Sequence, residues 1–226
     1  DSPVNPADLS DSLKKIENFY NKIYNENTIP LSIGGDHLVS LPILRALASK
    51  EPVGLFQFDS HTDTYDTYFG GHKYTHGTPF RRAIEENLVD PKKYVMLGIR
   101  GSTYEPDDLT WAIEQGITII TIDEYYKMGF EKCMNLIQGV LGDTKTYLTF
   151  DIDGIDPTYA PGTGTPEVGG FNVREAQLII RKLNKINFIG ADVVEVSPPF
   201  DLNNMTSLAG ATIAFEILCS MTRTNE

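Results

Sequence analysis

The chain has 226 residues, 41% hydrophobic and 22% charged, the composition of an ordinary globular protein that buries about 70–75% of the surface of its unfolded chain. A net charge of −12 with scattered Lys and Arg excludes nucleic acid as a partner, because phosphate binding draws on clustered cations. No apolar run reaches the roughly 18 residues of a membrane span and no signal-peptide pattern is present, so no membrane is expected; Cys133 and Cys219, far apart in helix-like apolar surroundings, fit reduced packing residues in a cytoplasmic setting.

Residues 1–226 read as one domain in which strand-like and helix-like segments alternate. Asn5-Pro6 predicts an N-cap with proline at the first helical position, opening an amphipathic helix through Leu9, Leu13, Ile16, Phe19 and Ile23. A strand over Ile29 to Ile33 ends at Gly34-Gly35 and is followed by a helix over Ser40 to Lys50. Then come a strand over Val53 to Phe58, a helix over Pro79 to Leu88, a strand over Tyr94 to Ile99 and a helix around Asp107 to Gln115. Ile117 to Ile122 reads as a strand, Glu124 to Leu141 as a helix and Thr146 to Phe150 as a strand. Asn172 with Glu175 forms a capping-box-like start to a helix ending near Asn184; Phe188 to Val196 is the last strand and Ser207 to Met221 the last helix. Several strands (GLFQF, ITIITI, ADVVEV) are continuous apolar runs, the mark of a parallel sheet covered on both faces.

Polar residues fall at the ends of these strands. His37 follows the first, Asp59, His61 and Asp63 the second, Asp151 and Asp153 the fifth, and Glu195 closes the sixth. Period-two alternation predicts that Asp59, His61 and Asp63 face one way, as do Asp151 and Asp153. At roughly 4 Å and an effective dielectric near 20, each pair of carboxylates repels by about 4 kcal/mol, a load relieved by divalent cations. Open parallel sheets bind ligands at the carboxyl ends of their strands, so the fold would bring these clusters together. Four aspartates suggest two ions, and one imidazole per ion suits hard or borderline cations: Mn²⁺ first, with Ni²⁺, Co²⁺ and Zn²⁺ as competitors.

Six motifs in order, GGDH at Gly34 to His37, FDSHTD at Phe58 to Asp63, THGTPF at Thr75 to Phe80, LTFDIDGIDP at Leu148 to Pro157, PGTGTPE at Pro161 to Glu167 and DVVEVSPP at Asp192 to Pro199, resemble the ureohydrolases, the family of arginase, agmatinase and guanidinobutyrase. The resemblance implies an α/β fold, a three-layer α/β/α sandwich around a mostly parallel sheet, with two Mn²⁺ per subunit and assembly into a homotrimer or homohexamer. It further implies that His37 and His61 each serve one metal, that Asp59 and Asp151 bridge both, that Asp63 completes the His37 side and Asp153 the His61 side. Family members carry several dozen more residues before the helix near Pro6, so that segment is expected to be lacking here.

A guanidinium carbon is a poor electrophile, and two ions about 3.5–4 Å apart supply the hydroxide its hydrolysis needs. Asp63 can accept a hydrogen bond from that nucleophile and aim it. Glu195, in VVEVSPP, matches the donor fork of a substrate guanidinium, the alternative being a buried salt bridge to a protein arginine. His76 resembles the family histidine that passes a proton to the departing amine, where the bland reading is a surface histidine, as for His72. Asp36 is either an orienting neighbour of His37 or a helix cap.

The substrate reading rests on Thr64 to Thr75, where Tyr65, Tyr68, Phe69 and Tyr74 can wall a methylene chain, Asp66 suits the terminal amine of agmatine and Lys73 the carboxylate of a guanidino acid. A small cationic guanidino substrate is expected, agmatine first, then guanidino acids, then arginine. A deacetylase-like relative would hold one zinc, which the extra Asp63 and Asp153 argue against; a catalytically silent metal-binding relative is the alternative of a different class. A phosphate-loop enzyme is a poor match, since GTGTP follows Ala160-Pro161 rather than a strand and opens no helix.

Overall fold

The computed structural model describes residues 2, 4–26, 28–103 and 108–222. Its centre is a six-stranded sheet in the order β1-β6-β5-β2-β3-β4, with β1 Leu31–Ile33, β2 Val53–Phe58, β3 Val89–Ile99, β4 Thr118–Thr121, β5 Thr146–Asp151 and β6 Phe188–Val194. Every neighbouring pair is parallel. Because β2, β5 and the inner half of β3 are buried on both faces, their sequences read as unbroken apolar runs, as expected for a sheet sandwiched between helices.

The helices divide cleanly. α1 Leu9–Asn25, α2 Ser40–Leu47, α3 Pro79–Glu85 and α4 Thr110–Gln115 pack one face through Leu13, Leu41, Leu44, Phe80 and Ala112 over Leu55, Tyr94 and Tyr147. On the other face, α5 Ile122–Met128, α6 Phe130–Leu141, α7 Val173–Lys182 and α8 Met205–Thr222 cover Phe56, Phe58, Leu148 and Phe150. The α/β fold expected from the alternation, and the three-layer α/β/α sandwich implied by the resemblance, are therefore observed.

Register levels the strand ends. Ile33, Val193, Phe150, Phe58 and Leu97 form one row across five strands, so Asp59 and Asp151 leave neighbouring strands side by side. The chain crosses from β2 toward β3 on one side and from β5 toward β6 on the other, making the gap between β2 and β5 the switch point where such sheets bind ligands.

Several boundaries differ from the sequence reading. Proline at position 6 sits in a turn, and α1 starts at Leu9 because Asp8 accepts the Asp11 N–H at 3.0 Å. The helix expected over Glu124 to Leu141 is two, since Gly129 at φ +82° turns the chain between α5 and α6, and a Thr121–Glu124 capping box starts α5 at Ile122. β3 begins at Val89, well before Tyr94, and β1 is shorter than expected. Asp107, expected to open a helix, lies outside the described residues.

By length and composition, Leu202–Thr222 would suffice to cross a membrane. It is a helix of the interior instead: Ile213 and Ile217 are fully buried in the core, and Glu216 pairs with Arg181 of α7. Its outer stripe, Met205, Leu208, Phe215 and Leu218, is exposed and uncharged.

Candidate metal centre

Four strand ends deliver the side chains. His37 opens a 3₁₀ turn after β1, capped by Asp36, whose carboxylate accepts the Leu38 N–H at 2.9 Å; capping is thus the account of Asp36. Asp59 follows β2 directly, and Asp151 ends β5 before the 3₁₀ turn Ile152–Gly154. The alternation expected for these runs is not what aims them. Asp59 Oδ1 accepts the His61 N–H at 2.7 Å, and Asp151 Oδ1 accepts the Asp153 N–H at 2.8 Å, so side-chain-to-backbone turns bring residues i and i+2 to one place after the strand has ended. Asp63 reaches the same place through a left-handed backbone, φ +51°, a conformation costing a non-glycine residue of order 1 kcal/mol or more. Gly98 permits the close approach of β3: at φ +107°, a Cβ there would stand 2.8 Å from the Asp59 carbonyl oxygen.

The result is two groups of potential ligands sharing Asp59. His37, Asp59, Asp63 and Asp151 form one, wholly buried, and Asp59, His61 and Asp153 the other. His37 Nδ1 lies 3.2 Å from Asp59 Oδ2, 2.8 Å from Asp63 Oδ2 and 3.2 Å from Asp151 Oδ2. Which of its nitrogens carries a proton follows from what lies behind. Thr149 donates to Asp192 Oδ1 at 2.6 Å, so its hydroxyl accepts from His37 Nε2 at 2.7 Å, and Asp192 is further filled by Ser40 Oγ at 2.6 Å and Tyr147 OH at 2.8 Å. In the neutral imidazole Nδ1 is then a bare, buried lone pair without a hydrogen-bond donor, facing three carboxylate oxygens; without a metal those oxygens favour a proton there. Carboxylate oxygens converging on one buried nitrogen favour a cation among them, and the donor set fits a binuclear metal site.

On the other side His61 Nδ1 stands 3.0 Å from Asp153 Oδ2, and Asp153 Oδ1 accepts from Ser60 N–H at 3.1 Å and Ser60 Oγ at 2.6 Å. Asp59 Oδ2 accepts from Gln57 Nε2 at 2.7 Å, while the Gln57 carbonyl is held by Tyr94 OH. Without metal the electrostatics are those of crowded acids. Burial, then Asp153 and Asp63, push Asp59 up to about 7, and burial, then Asp153 and Asp59, raise Asp151. Burial pulls His37 down, yet Asp151, Asp59 and Asp63 together hold it well above its usual value. His61, likewise lowered by burial, is carried to about 10 by Asp153, and Asp153, which burial alone would raise, is held at about 2 by His61 and Ser60.

Glu195 adopts φ +63° immediately after β6, its N–H donating to Gly35 O at 2.9 Å and its Oε1 accepting the His37 N–H at 2.7 Å. Burial first, opposed by His37, raises its carboxyl to about 7. No arginine or lysine among the described residues meets it, so the salt-bridge alternative does not hold.

Above this floor lies a cleft of about 290 Å³ lined by His61, Asp63, Tyr65, Tyr68, His76 and Glu167, among others. His76 belongs to it, its ring edge-on to Tyr68 at 5.4 Å and Phe69 at 5.3 Å. His72 is exposed, as expected. Asp66 and Lys73 do not line the cleft: Asp66 is bound by Arg82 at 2.8 Å, and Lys73 is exposed with its carbonyl accepting from Thr78. Sequence reasoning missed Ser102, Thr103, Thr165 and Glu167 on the rim, and Thr149 and Asp192 beneath His37. The motif PGTGTPE held the signal for Thr165 and Glu167; the hydroxyls carried none.

The arginase family model matches residues 1–220. Guanidinopropionase from Pseudomonas aeruginosa is 54% identical over 219 residues, 97% of this chain and 69% of the relative. Mitochondrial agmatinase from Gallus gallus is 44% identical over 220 residues, and the chain spans 64% of its length. Among solved structures, proclavaminate amidino hydrolase from Streptomyces clavuligerus superposes with a TM-score of 0.94 at 36% identity, covering 99% of this chain and 74% of that one.

Proposed function

This chain belongs to the arginase family, the ureohydrolases that cleave amidino C–N bonds, and from that premise we propose that it hydrolyses a short guanidino acid to urea and an amino acid. The observation that carries the reading is the bare His37 Nδ1 amid Asp59, Asp63 and Asp151, joined through Asp59 to His61 and Asp153 at the foot of an open cleft.

His37, Asp59, Asp63 and Asp151, and His61, Asp59 and Asp153, would hold two Mn²⁺, the best match to a carboxylate-rich set with one imidazole each, and such ions would supply the acidity that makes water a nucleophile at neutral pH. Asp63, on the cleft wall, accepts a hydrogen bond from the attacking water and aims it. Glu195, whose Oε1 is fixed by the His37 amide, presents Oε2 to the guanidinium fork. Pairing with that cation favours its ionised form against the burial that raises it. Attack by water forms the C–O bond at the guanidinium carbon as Asp63 takes up one water proton; the C–N bond to the amine breaks as His76 protonates the departing nitrogen, and the remaining hydroxyl proton passes to solvent to leave urea.

For the substrate, a guanidino acid displaces agmatine from first place. Its support is the 54% identity to a guanidinopropionase, together with the engagement of Asp66 by Arg82, which removes the carboxylate expected to meet the agmatine ammonium. Agmatine stands second because Glu167 on the rim is an acid of the kind an ammonium would seek. Urea release from 3-guanidinopropionate, 4-guanidinobutyrate, agmatine and arginine by the Mn²⁺-loaded protein decides the order. Silence toward all four would overturn the hydrolase reading. A cytoplasmic homotrimer or homohexamer completes the proposal, supported by the two free thiols and the uncharged outer stripe of α8; sedimentation tests the assembly.

A further inference from the structure

Arg100, immediately after β3, is the point where three segments of the site meet, although no carboxylate among the described residues binds it. Its backbone N–H donates to Ser60 O at 3.0 Å, tying it to the turn that carries His61. Its guanidinium spends its donors on main-chain carbonyls: Nη2 on Asp153 O and Glu167 O, both at 2.7 Å, Nη1 on Gly98 O and Gly154 O, both at 3.2 Å, and Nε on Glu167 O at 3.2 Å and Val168 O at 3.3 Å. One side thus grips the turn bearing Asp153, the other the loop that carries Thr165, Pro166 and Glu167 into the cleft. The surroundings are shaped to admit it. A Cβ on Gly170 would collide with the Arg100 guanidinium, and one on Gly101 with the Glu167 carboxylate. Asp156 pins the far end of the same loop, its Oδ2 accepting from Gly169 N–H at 2.7 Å and Gly170 N–H at 3.0 Å.

We propose that Arg100 is a positioning residue that locks the Thr165–Glu167 rim of the cleft to the Asp153 turn of its floor, so that substrate fit and the His61–Asp153 side of the metal site are set together. A lysine cannot replace it, since a single ammonium has three donors at one point where the planar fork spans three segments. The proposal rests on the reading of the cleft as a guanidino-hydrolase site.

The test uses the full chain and its Arg100→Lys and Gly170→Ala variants, the second crowding the guanidinium, and the Asp156 backbone nitrogen beside it, while keeping the charge. Mn²⁺ binding is followed by calorimetry and KM by urea release, with circular dichroism checking the fold. Both variants should stay folded, raise KM about tenfold or more, and weaken one of two Mn²⁺ equivalents by a similar factor while leaving the other unchanged. Two wild-type-like Mn²⁺ equivalents with KM within twofold of the parent would overturn the proposal, and so would unfolding of both variants, which would make the role merely structural. A parent chain that binds two Mn²⁺ yet hydrolyses no guanidino compound would remove the functional reading alone, leaving the Mn²⁺ arm to judge the lock.

Discussion

The floor of the cleft and its rim are held in different ways. On the floor, Asp59, Asp151 and His37 stand at or just beyond the ends of parallel strands and are buried, fixed by short bonds to backbone amides and to Gln57 and Thr149. On the rim, Tyr65, Tyr68, His76 and Glu167 sit on loops, half exposed and held by ring contacts and by Arg100 bonds to carbonyls. The floor concentrates charge at a cost in stability, while the rim surrounds the substrate with groups whose exchange costs the fold little. On the proposed function, chemistry common to the family would belong to the first region and substrate choice to the second.

This division is broken most directly by removing a shared ligand. Asp59→Asn should lower urea release at least about a thousandfold, some 4 kcal/mol of transition-state stabilisation, and deplete bound metal in elemental analysis. The same variant should raise the melting temperature of the metal-free protein by a few degrees, about 1 kcal/mol, since it removes one of the crowded acids. A melting point that falls instead would mean that the floor does not store repulsion. Next in size, His76→Asn should cut kcat about a hundredfold with metal content intact, because it changes a proton donor and no ligand; a loss of metal would move His76 to the floor.

Acidification separates the regions again. Asp59 in the metal-free protein holds its proton up to about pH 7, and ions must displace it, so Mn²⁺ affinity should fall by up to about tenfold per unit for each proton displaced as pH drops below that value. A flat titration between pH 5 and 7, taken at about those limits, would contradict the raised carboxyl. The smallest effect belongs to the rim: Glu167→Gln should lower KM for 3-guanidinopropionate a few-fold and raise it for agmatine, by removing one charge near the substrate tail. Equal shifts for both substrates would show that Glu167 does not face that tail.

Most of the floor was legible in the sequence, because strand ends recur after apolar runs and their Asp and His residues stand out there. The reason given for their convergence was only half right: the extended alternation stops at Phe58, and bonds from the Asp59 and Asp151 carboxylates to following amides do the aiming. The rim was far less legible. Asp66 looked like a substrate anchor until Arg82, well along the chain, was found to occupy it. Arg100 went unnoticed because its partners are carbonyl oxygens, which every residue possesses and no motif records. In the fold, Gly129 could be read as a tolerated helical glycine, and only its φ of +82° reveals the break between α5 and α6.

The left-handed backbone at Glu195 has a practical consequence for anyone wishing to separate cation uptake from substrate capture. Glycine is the residue most at ease with φ +63°, so Glu195→Gly would exchange the proposed guanidinium anchor for local relief of strain. Such a protein would be an inert but sturdy reference, able to take up cations while leaving a guanidinium unheld.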